Sequence, residues 1–221
     1  MVEEGDGMTQ VTFLPRPASS PPVHRKILAE WRELRPFGGF QMVMVDPPWS
    51  FDTWSERGHE KAPQAQYACH GADWIEALPI RALAADDAIL WLWATGPLLP
   101  LALHCVSAWG FEFKTMGWWS KKTTRGNQAF GTGYILRNAG EPFLIGTIGK
   151  PRTVRNTRST IEGLARRHSQ KPDEAFRAAE RMLDPEFHPE PKRIEVFSRT
   201  SRPGWAHWGD QVDSIPIEVT P

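Results

Sequence analysis

Residues 40–49 read Phe-Gln-Met-Val-Met-Val-Asp-Pro-Pro-Trp, a mostly apolar run that ends abruptly at a carboxylate and two prolines. An apolar run of this length is typical of a strand buried on both faces of a parallel sheet. The two prolines stiffen the chain just beyond the strand, because each locks its own φ angle. The decapeptide therefore predicts a strand, Phe40–Val45, that presents Asp46 rigidly at the carboxyl edge of a sheet.

Strands and helices are expected to alternate along the rest of the chain. Apolar patterning predicts strands over residues 88–94, 111–118, 142–148 and 193–197, and helices over residues 24–34, 73–85, 97–109 and 172–183. This alternation is typical of an α/β protein with a mostly parallel sheet and helices on both faces.

Three segments that follow predicted strands lack any periodicity. They are residues 50–72, 120–140 and 150–171. Long aperiodic segments in a compact domain are usually functional or disordered, and ligands of open α/β sheets bind outside the carboxyl ends of the strands. We therefore expect the three segments to converge on one ligand-binding crevice.

Composition and charge exclude some classes of protein. The 221 residues are 40% hydrophobic and 24% charged, which is ordinary for a globular chain. Twenty-six basic and 26 acidic residues give a formal net charge of zero, so a uniformly cationic binder of nucleic acid or membrane is excluded, although local basic patches are not. We expect a single folded domain over residues 25–213, a disordered tail over residues 1–24 and a C-terminal tail over residues 214–221.

Disulfides, zinc, secretion and membrane insertion are not indicated. Cys69 and Cys105 are too few for a disulfide framework and lack the spacing of a zinc site. The N-terminus shows no secretory signal, and the uncharged run 88–111 is interrupted by the Gly-Pro pair at residues 96–97. That run predicts a strand, a turn and a helix rather than a membrane span. A cytoplasmic protein with reduced thiols and without a metal is expected.

The tetrapeptide Asp46–Trp49 is suited to methylation of an aromatic exocyclic amine. Its ordinary interpretation is a proline-rich turn with a capping aspartate and a core tryptophan, but its place at the ligand-binding edge favours a chemical role. The adenine amino nitrogen is a weak nucleophile because its lone pair is delocalised into the ring. The Asp46 carboxylate and the Pro47 carbonyl can each accept one amino hydrogen and aim the lone pair at an electrophilic methyl group. We take Asp46 as an orienting and electrostatic group rather than a strong base.

The other two residues of the tetrapeptide complete the predicted catalytic corner. Pro48 stiffens the backbone, and Trp49 can stack on the base or on neighbouring side chains. The candidate catalytic residues are thus Asp46, Pro47, Pro48 and Trp49.

From this motif onward the sequence resembles the MT-A70-like family of N6-adenine methyltransferases. The resembling segments keep the family order and cover about residues 40–211. They are VMVDPPW at 43–49, Tyr67 before a helix ending in LPI, AILWLWATG at 88–96, WSK at 119–121, FGTGY and RNAGEPFLIG within 130–146, RIEVFSR at 193–199 and PGWAHWGDQ at 203–211.

The resemblance implies a single-domain, Rossmann-like methyltransferase fold that uses S-adenosylmethionine. In its permuted order the catalytic motif precedes the cofactor-binding strand, which agrees with the absence of G-x-G-x-x-G after the first strand. By resemblance, Arg199 contacts the cofactor ribose and Gln211 its adenine. The full set implied for the cofactor is Asp46, Pro47, Arg199, Thr200, Ser201, Asp210 and Gln211, and the set implied for the acceptor pocket is Tyr67, Asn138, Glu141 and, as a supporting residue, Trp119.

Each implied residue also has an ordinary interpretation. Arg199 would then be a surface arginine, residues 210–211 a polar turn, Tyr67 a packed aromatic, and Asn138 and Glu141 solvated loop residues.

Two features depart from the family pattern. The family often has an acidic residue upstream of DPPW that contacts the cofactor adenine, and only Glu30 and Glu33 are approximate candidates here. A basic residue commonly precedes the glycine that ends the FLIGTIG strand, but this chain has Ile148 at that position. Lys150, two residues later, is the candidate substitute for this cofactor contact.

Two basic clusters favour a polyanionic substrate. Residues 150–171 contain seven lysines and arginines and one acid, and a second cluster comprises Lys114, Lys121, Lys122 and Arg125. A solvated basic loop is the ordinary alternative. If both clusters lie on the catalytic rim, they predict phosphate contacts that weaken as salt rises. The target base would be flipped out or taken from a single strand.

The leading hypothesis is methyl transfer to N6 of adenine in DNA or RNA, with DNA slightly favoured because the chain lacks accessory RNA-binding regions. An alternative is a non-catalytic nucleic-acid-binding subunit of a heterodimeric methyltransferase; the intact DPPW argues against it, and the two departures argue for it. Methylation of a small molecule is a third hypothesis, favoured if activity is independent of salt and oligonucleotide length. A homodimer and a heterodimer with a related subunit both remain open.

Overall fold

The computed structural model describes residues 22–49, 71–133, 135–166 and 170–209. In chain order the elements are α1 (Pro22–Leu34), β1 (Phe40–Val45), α2 (Ala72–Glu76), β2 (Ala84–Trp93), α3 (Leu99–Ala108), β3 (Glu112–Lys122), β4 (Gly140–Ile148), β5 (Thr160–Leu164), α4 (Asp173–Met182), β6 (Arg193–Val196) and β7 (Ala206–Trp208), with short 3₁₀ turns at Ile80–Ala82 and Gly96–Leu98.

The seven strands form one sheet in the order β5-β3-β4-β2-β1-β6-β7. Four of the six strand pairs are parallel, and the two pairs made by β4 are antiparallel. The predicted α/β architecture with a mostly parallel sheet is therefore confirmed.

The register brings several strand ends to one edge of the sheet. Val45, the last residue of β1, pairs with Leu92 of β2 and Val196 of β6. Because β4 runs antiparallel to β2, its beginning rather than its end lies at this edge, where Phe143 pairs with Trp93. We call it the Asp46 edge, after the residue that follows β1, and the opposite edge of the sheet the far edge.

Apolar side chains of β1 alternate between two cores, one on each face of the sheet. Val43 and Val45 join a cluster with residues of α1 and α3. Met42 and Met44 join a second cluster with residues of α4. Burial on both faces explains why the strand reads as a continuous apolar run, and it confirms helices on both sides of the sheet.

The structure corrects some predicted boundaries. The helix predicted over residues 73–85 is wrong: α2 ends at Glu76, and β2 begins at Ala84. Pro79 lies between them, and a proline cannot donate the hydrogen bond that would continue the helix. β5 was not predicted, because it lies within an aperiodic segment. It pairs with the end of β3, and of its five residues only Ile161 and Gly163 are buried. β3 itself extends to Lys122, beyond its predicted end.

Several expectations concern residues near the chain ends or in the segment after the Asp46–Trp49 tetrapeptide. α1 begins at Pro22, within the predicted tail. The remainder of both tails, the segment 50–70 and Cys69 lie outside the described residues. Cys105 is a free, buried thiol, and burial raises its pKa to about 12. Among the described helices, none is both long and apolar enough to cross a membrane.

Two adjacent glycines before β1 provide a test of the packing at the start of the sheet. Both have positive φ, but a Cβ on Gly39 would lie 2.7 Å from backbone atoms of Ala84, whereas one on Gly38 would meet nothing within 4 Å. We expect Gly38→Ala to lower the free energy of unfolding by about 1 kcal/mol, because alanine is strained at positive φ even where its Cβ meets no neighbour. Gly39→Ala should cost about 2–4 kcal/mol, because β2 must also move. Urea denaturation would measure both, and equal losses would contradict this packing.

Candidate active site

The Asp46 corner is tied to both neighbouring strands. The Asp46 N–H donates to the Val196 carbonyl at 3.3 Å, and the Trp49 N–H donates to the Pro47 carbonyl at 2.8 Å. The Trp49 indole N–H donates to the Trp93 carbonyl at 3.1 Å. Trp49 is 4% exposed and packs in the core, so it anchors the corner from beneath. The Pro47 oxygen retains a second lone pair for another donor.

A buried lysine lies against this corner. Lys171 lies two residues before the start of α4, and its side chain is only 8% exposed. Its Nζ lies 2.9 Å from Asp46 Oδ1 and 3.2 Å from Glu141 Oε2. Glu141 is therefore connected to Asp46 through a shared ammonium group.

The charges of this group shift one another's protonation. Burial opposes ionisation of Lys171, but the Asp46 and Glu141 carboxylates outweigh it and raise its pKa. Burial also opposes ionisation of Glu141, yet Lys171 and Lys121 hold the pKa of Glu141 at about 2. Burial, followed by the charge of Glu141, raises the pKa of Asp46 against the opposing effects of Lys171 and Arg199. Lys171 is thus charged at neutral pH and keeps two buried acids together.

The turn after β6 forms the opposite wall of the site. Phe197 has a φ of 67°, an uncommon value for a residue other than glycine. Its N–H donates to the Trp208 carbonyl at 2.6 Å, and the Ser198 N–H donates to the same oxygen at 3.0 Å. β7 thereby holds this turn in a strained conformation, a feature that is common at functional sites.

A third buried acid, Glu195, lies beneath the turn. Glu195 is 8% exposed, and burial raises its pKa to about 7 despite the hydrogen bond from Ser198. Ser198 Oγ lies 2.9 Å from Glu195 Oε2 and 2.7 Å from the Thr200 carbonyl oxygen. A hydroxyl has one hydrogen, so when Ser198 donates to Thr200 it can only accept from Glu195. That arrangement requires a protonated Glu195.

These walls enclose a charged crevice at the Asp46 edge. Acidic, basic and aromatic side chains from β1, α4 and the β6 turn contribute to it. Its lining residues are Asp46, Gln170, Lys171, Phe176, Glu195, Phe197, Arg199, Thr200 and Arg202. The structure thus brings together Asp46, Arg199 and Thr200, which the sequence placed in one cofactor site, and it adds Lys171 and Glu195. Ser201 directly follows Thr200 in the chain.

The predicted acceptor residues have different positions. Glu141 reaches the corner through Lys171. Asn138 is exposed, and its Oδ1 accepts a 3.0 Å hydrogen bond from the Gly140 N–H at the start of β4. Trp119 is 2% exposed, donates its indole N–H to the Gly163 carbonyl at 3.1 Å and packs edge-on to Trp93, as a support for the site. Tyr67, Asp210 and Gln211 lie outside the described residues.

The structure does not bring Lys150 to this site. Its N–H donates to Asp87 Oδ1 at 2.7 Å near the start of β2, and Ile148 pairs with Ala88 there. The reason is strand direction: β4 is antiparallel to β2, so its end lies at the far edge. Lys171, which comes from the next basic stretch of sequence, lies beside Asp46 instead.

The basic segment 150–171 is likewise not a single loop on the rim. Its first part contacts the end of α4 at the far edge, where the Val154 N–H donates to the Met182 carbonyl at 3.1 Å. Its described residues at the Asp46 edge are already paired: Arg166 lies 2.7 Å from Asp173, and Lys171 pairs as above. The expectation that the whole segment lines the catalytic rim is wrong.

The structure also gives the positions of Glu30 and Glu33, the two candidate acids upstream of DPPW. Glu30 Oε2 accepts the Trp208 indole N–H at 3.0 Å, and Glu33 is exposed. Glu30 is thus held beside β7. In the described ranges, no three His, Cys, Asp or Glu side chains are grouped to hold a metal ion.

Glu195 predicts a pH-dependent stability. Its pKa is about 7 in the folded protein and 4.5 ordinarily, so between these values the folded state keeps a proton that the unfolded chain has lost. Stability must then fall as pH rises through this window. We expect the free energy of unfolding of Glu195→Gln, relative to wild type, to rise by on the order of 3 kcal/mol from pH 4.5 to pH 7.

Urea denaturation across pH would measure this difference. Glu162→Gln is the control, because the Glu162 side chain on β5 is 68% exposed. A difference between Glu195→Gln and wild type that is independent of pH would show that Glu195 ionises as it does in the unfolded chain.

Comparison with known proteins identifies the family. The MT-A70 family model matches residues 40–211, a range that includes Asp46, Glu141, Lys171, Glu195 and Arg199. Type II methyltransferase M.MunI of Mycoplasma sp is 26% identical over 198 residues, which cover 81% of both chains. The human N(6)-adenosine-methyltransferase catalytic subunit METTL3 is 32% identical over 186 residues, which cover 81% of this chain and 29% of METTL3.

A Drosophila melanogaster N(6)-adenosine-methyltransferase MT-A70-like protein is 31% identical over 186 residues, which cover 81% of this chain and 28% of that protein. The chain therefore matches less than a third of the length of these two adenosine methyltransferases. Because the family model spans residues 40–211 of the 221, the chain belongs to the MT-A70 family.

Proposed function

We propose that this protein transfers a methyl group from S-adenosylmethionine to the N6 amino group of adenine in nucleic acid. The observation that carries the proposal is the Asp46 corner, where a carboxylate and a proline carbonyl are fixed beside a charged crevice. Membership of the MT-A70 family supports it, since the similar proteins named above are methyltransferases.

The crevice offers polar partners for the groups of S-adenosylmethionine. The cofactor carries a carboxylate, an ammonium group and ribose hydroxyls, and Lys171, Asp46 and Arg199 offer partners for these groups within one crevice. Thr200 and Ser201 are proposed to assist at the ribose, and Asp210 and Gln211 at the cofactor adenine. When bound, S-adenosylmethionine supplies an electrophilic methyl group on a sulfonium centre.

Asp46 and Pro47 then act on the acceptor amine. The Asp46 carboxylate and the free lone pair of the Pro47 oxygen accept the two amino hydrogens and orient the nitrogen lone pair. Burial raises the pKa of Asp46, and the Lys171 ammonium group, 2.9 Å from Asp46 Oδ1, opposes that rise and favours the ionised carboxylate. The chain thus contributes positioning and fixed charges.

The acceptor base is proposed to enter from the side of Glu141. Tyr67 and Asn138 are proposed to contact it, while Trp119 supports the pocket from the core. A base must be flipped out or single-stranded to reach a corner that is anchored within the sheet. DNA is proposed as the slightly favoured substrate over RNA.

Replacement of Asp46 tests the proposed chemistry. Asp46→Ala should lower kcat by roughly 10²-fold or more, because an oriented acceptor is lost. Cofactor affinity should fall far less, because Arg199 and Lys171, which keeps Glu141 as its partner, still line the crevice. Transfer of radiolabelled methyl groups to duplex DNA, single-stranded DNA and RNA would be measured, with mass spectrometry to identify N6-methyladenine.

Asp86→Ala is the matched control, since the Asp86 side chain is fully exposed on β2. Unimpaired turnover of Asp46→Ala would refute the role of Asp46. A wild-type protein that binds oligonucleotides without any turnover would instead favour the non-catalytic subunit.

Arg199 tests the cofactor site separately. Arg199→Ala should weaken binding of S-adenosylmethionine about tenfold or more, because a charged hydrogen-bond donor is lost from the crevice. Isothermal calorimetry would measure the affinity, with Arg155→Ala, an exposed arginine of the segment before β5, as the control. An unchanged affinity would mean that the cofactor binds elsewhere.

A further inference from the structure

In the described contacts, Lys121, near the end of β3, is linked to Asp46 by way of Glu141 and Lys171. Its Nζ lies 2.5 Å from Glu141 Oε1 and 4.7 Å from the centre of the Trp119 ring. Trp119 pairs with Glu141 across β3 and β4, so Lys121, two residues further, projects to the same face of the sheet. The Lys121 side chain is 21% exposed and is held by both contacts.

Glu141 uses its two oxygens for two different lysines. Oε1 pairs with Lys121, and Oε2 lies 3.2 Å from Lys171. Lys171 in turn lies 2.9 Å from Asp46. Lys121, Glu141, Lys171 and Asp46 therefore form a row of alternating charges, which we call the charge row, and it has no net charge when all four are ionised.

We propose that Lys121 is a positioning residue, which neutralises Glu141 and thereby leaves Lys171 free to hold Asp46 as an oriented carboxylate. The inference rests on the proposed function of Asp46. It assigns a role to a lysine that need not touch cofactor or substrate.

The physical basis is competition between two buried acids for one ammonium group. The Glu141 side chain is 17% exposed and that of Asp46 16%, so neither can rely on water alone to stabilise its charge. Without Lys121, Glu141 would depend on Lys171 and draw it away from Asp46. The uncompensated charge of Glu141 would also make ionisation of Asp46 more costly, in the same direction as it already acts.

The other charged groups around Asp46 would stay in place. Arg199 and Glu195 face it from β6 and the following turn, and Arg202 acts on Glu195 from the same side. None of the three contacts Lys121 in the described interactions. A change at Lys121 should therefore reach Asp46 only through Glu141 and Lys171.

The next residue of β3 provides a matched control. Lys122 projects to the other face, pairs with Glu162 at 3.1 Å and has a 27% exposed side chain. Lys121→Met and Lys122→Met remove the same charge from adjacent positions of one strand, so a difference between them reports the charge row rather than the overall charge.

The first experiment measures Asp46 itself in the cofactor-free protein, by ¹³C NMR titration of labelled aspartate carboxyls assigned with Asp46→Asn. Lys121→Met should raise the pKa of Asp46 by about 0.5 or more, whereas Lys122→Met should leave it unchanged and Lys121→Arg should restore it. In a Glu141→Gln background, Lys121→Met should have no effect, because the intermediate charge is gone. An Asp46 pKa that is the same in Lys121→Met and wild type would overturn the inference, whatever the activity of the protein.

The second experiment measures kcat/KM against pH. The acid limb of the Lys121→Met profile should move to higher pH by the same amount as the Asp46 pKa, with Lys121→Arg close to wild type. A uniformly lower rate with an unmoved limb would indicate a merely structural role and would overturn the inference. If Lys121→Met does not fold, Lys121→Gln in the same two measurements decides the question. A wild-type protein without methyl transfer would refute the proposed function, while the NMR titration would still judge the charge row.

Discussion

The ammonium group of Lys171, buried between Asp46 and Glu141, determines how the whole site is arranged. Asp46 and Glu141 have little access to water, and two such carboxylates could not both stay ionised in one site without a cation between them. Lys171 therefore makes a buried carboxylate possible at the end of β1. Its own position follows from α4, which begins two residues later and packs Phe176 into the second core. Burial of an apolar helix face thus fixes the location of a charge.

Strand direction explains which residues can join this group. β1, β2 and β6 are parallel, so Asp46, which follows β1, and the turn after β6 lie at the same edge of the sheet. β4 is antiparallel and contributes its first residues, so Glu141 arrives from the opposite chain direction. β3 is antiparallel to β4 and adds Lys121 with its last residues. Side chains far apart in sequence meet because the mixed sheet places beginnings and ends of strands side by side.

The sequence predicted the features that depend on local pattern. An apolar run followed by Asp-Pro-Pro-Trp was enough for β1 and its acidic corner, and RIEVFSR placed Arg199 at the same edge. The sequence did not predict the positions of residues that depend on whether a strand pairs in parallel or antiparallel. Lys150 was expected at the site as the substitute for a basic residue of the family pattern, but β4 is antiparallel to β2 and leads to the far edge.

Lys171 is a residue of the site that the sequence did not single out. In the sequence it is one cation among seven in a basic stretch, and nothing in its neighbours distinguishes a buried lysine from a solvated one. The Pro-Asp-Glu run after Lys171 indicates where α4 begins and hence where Lys171 lies along the chain, but it does not reveal that the lysine side chain is buried. Glu195 was inside a recognised motif, yet only its burial beneath Ser198 reveals a carboxyl that keeps its proton near neutral pH.

The anchoring of Trp49 has a consequence for ligand affinity. Its indole hydrogen bond to the Trp93 carbonyl is a core interaction, so the acidic corner takes shape when the protein folds. The loss of conformational entropy on ordering these residues therefore occurs during folding, and it does not reduce the affinity when a ligand binds. In a variant with a loosened anchor, the apparent Kd of the ligand would be the intrinsic Kd divided by the fraction of molecules whose corner is formed, so binding would be weaker. Mutations in the hydrophobic interior could thus weaken recognition without altering a single group that touches the ligand.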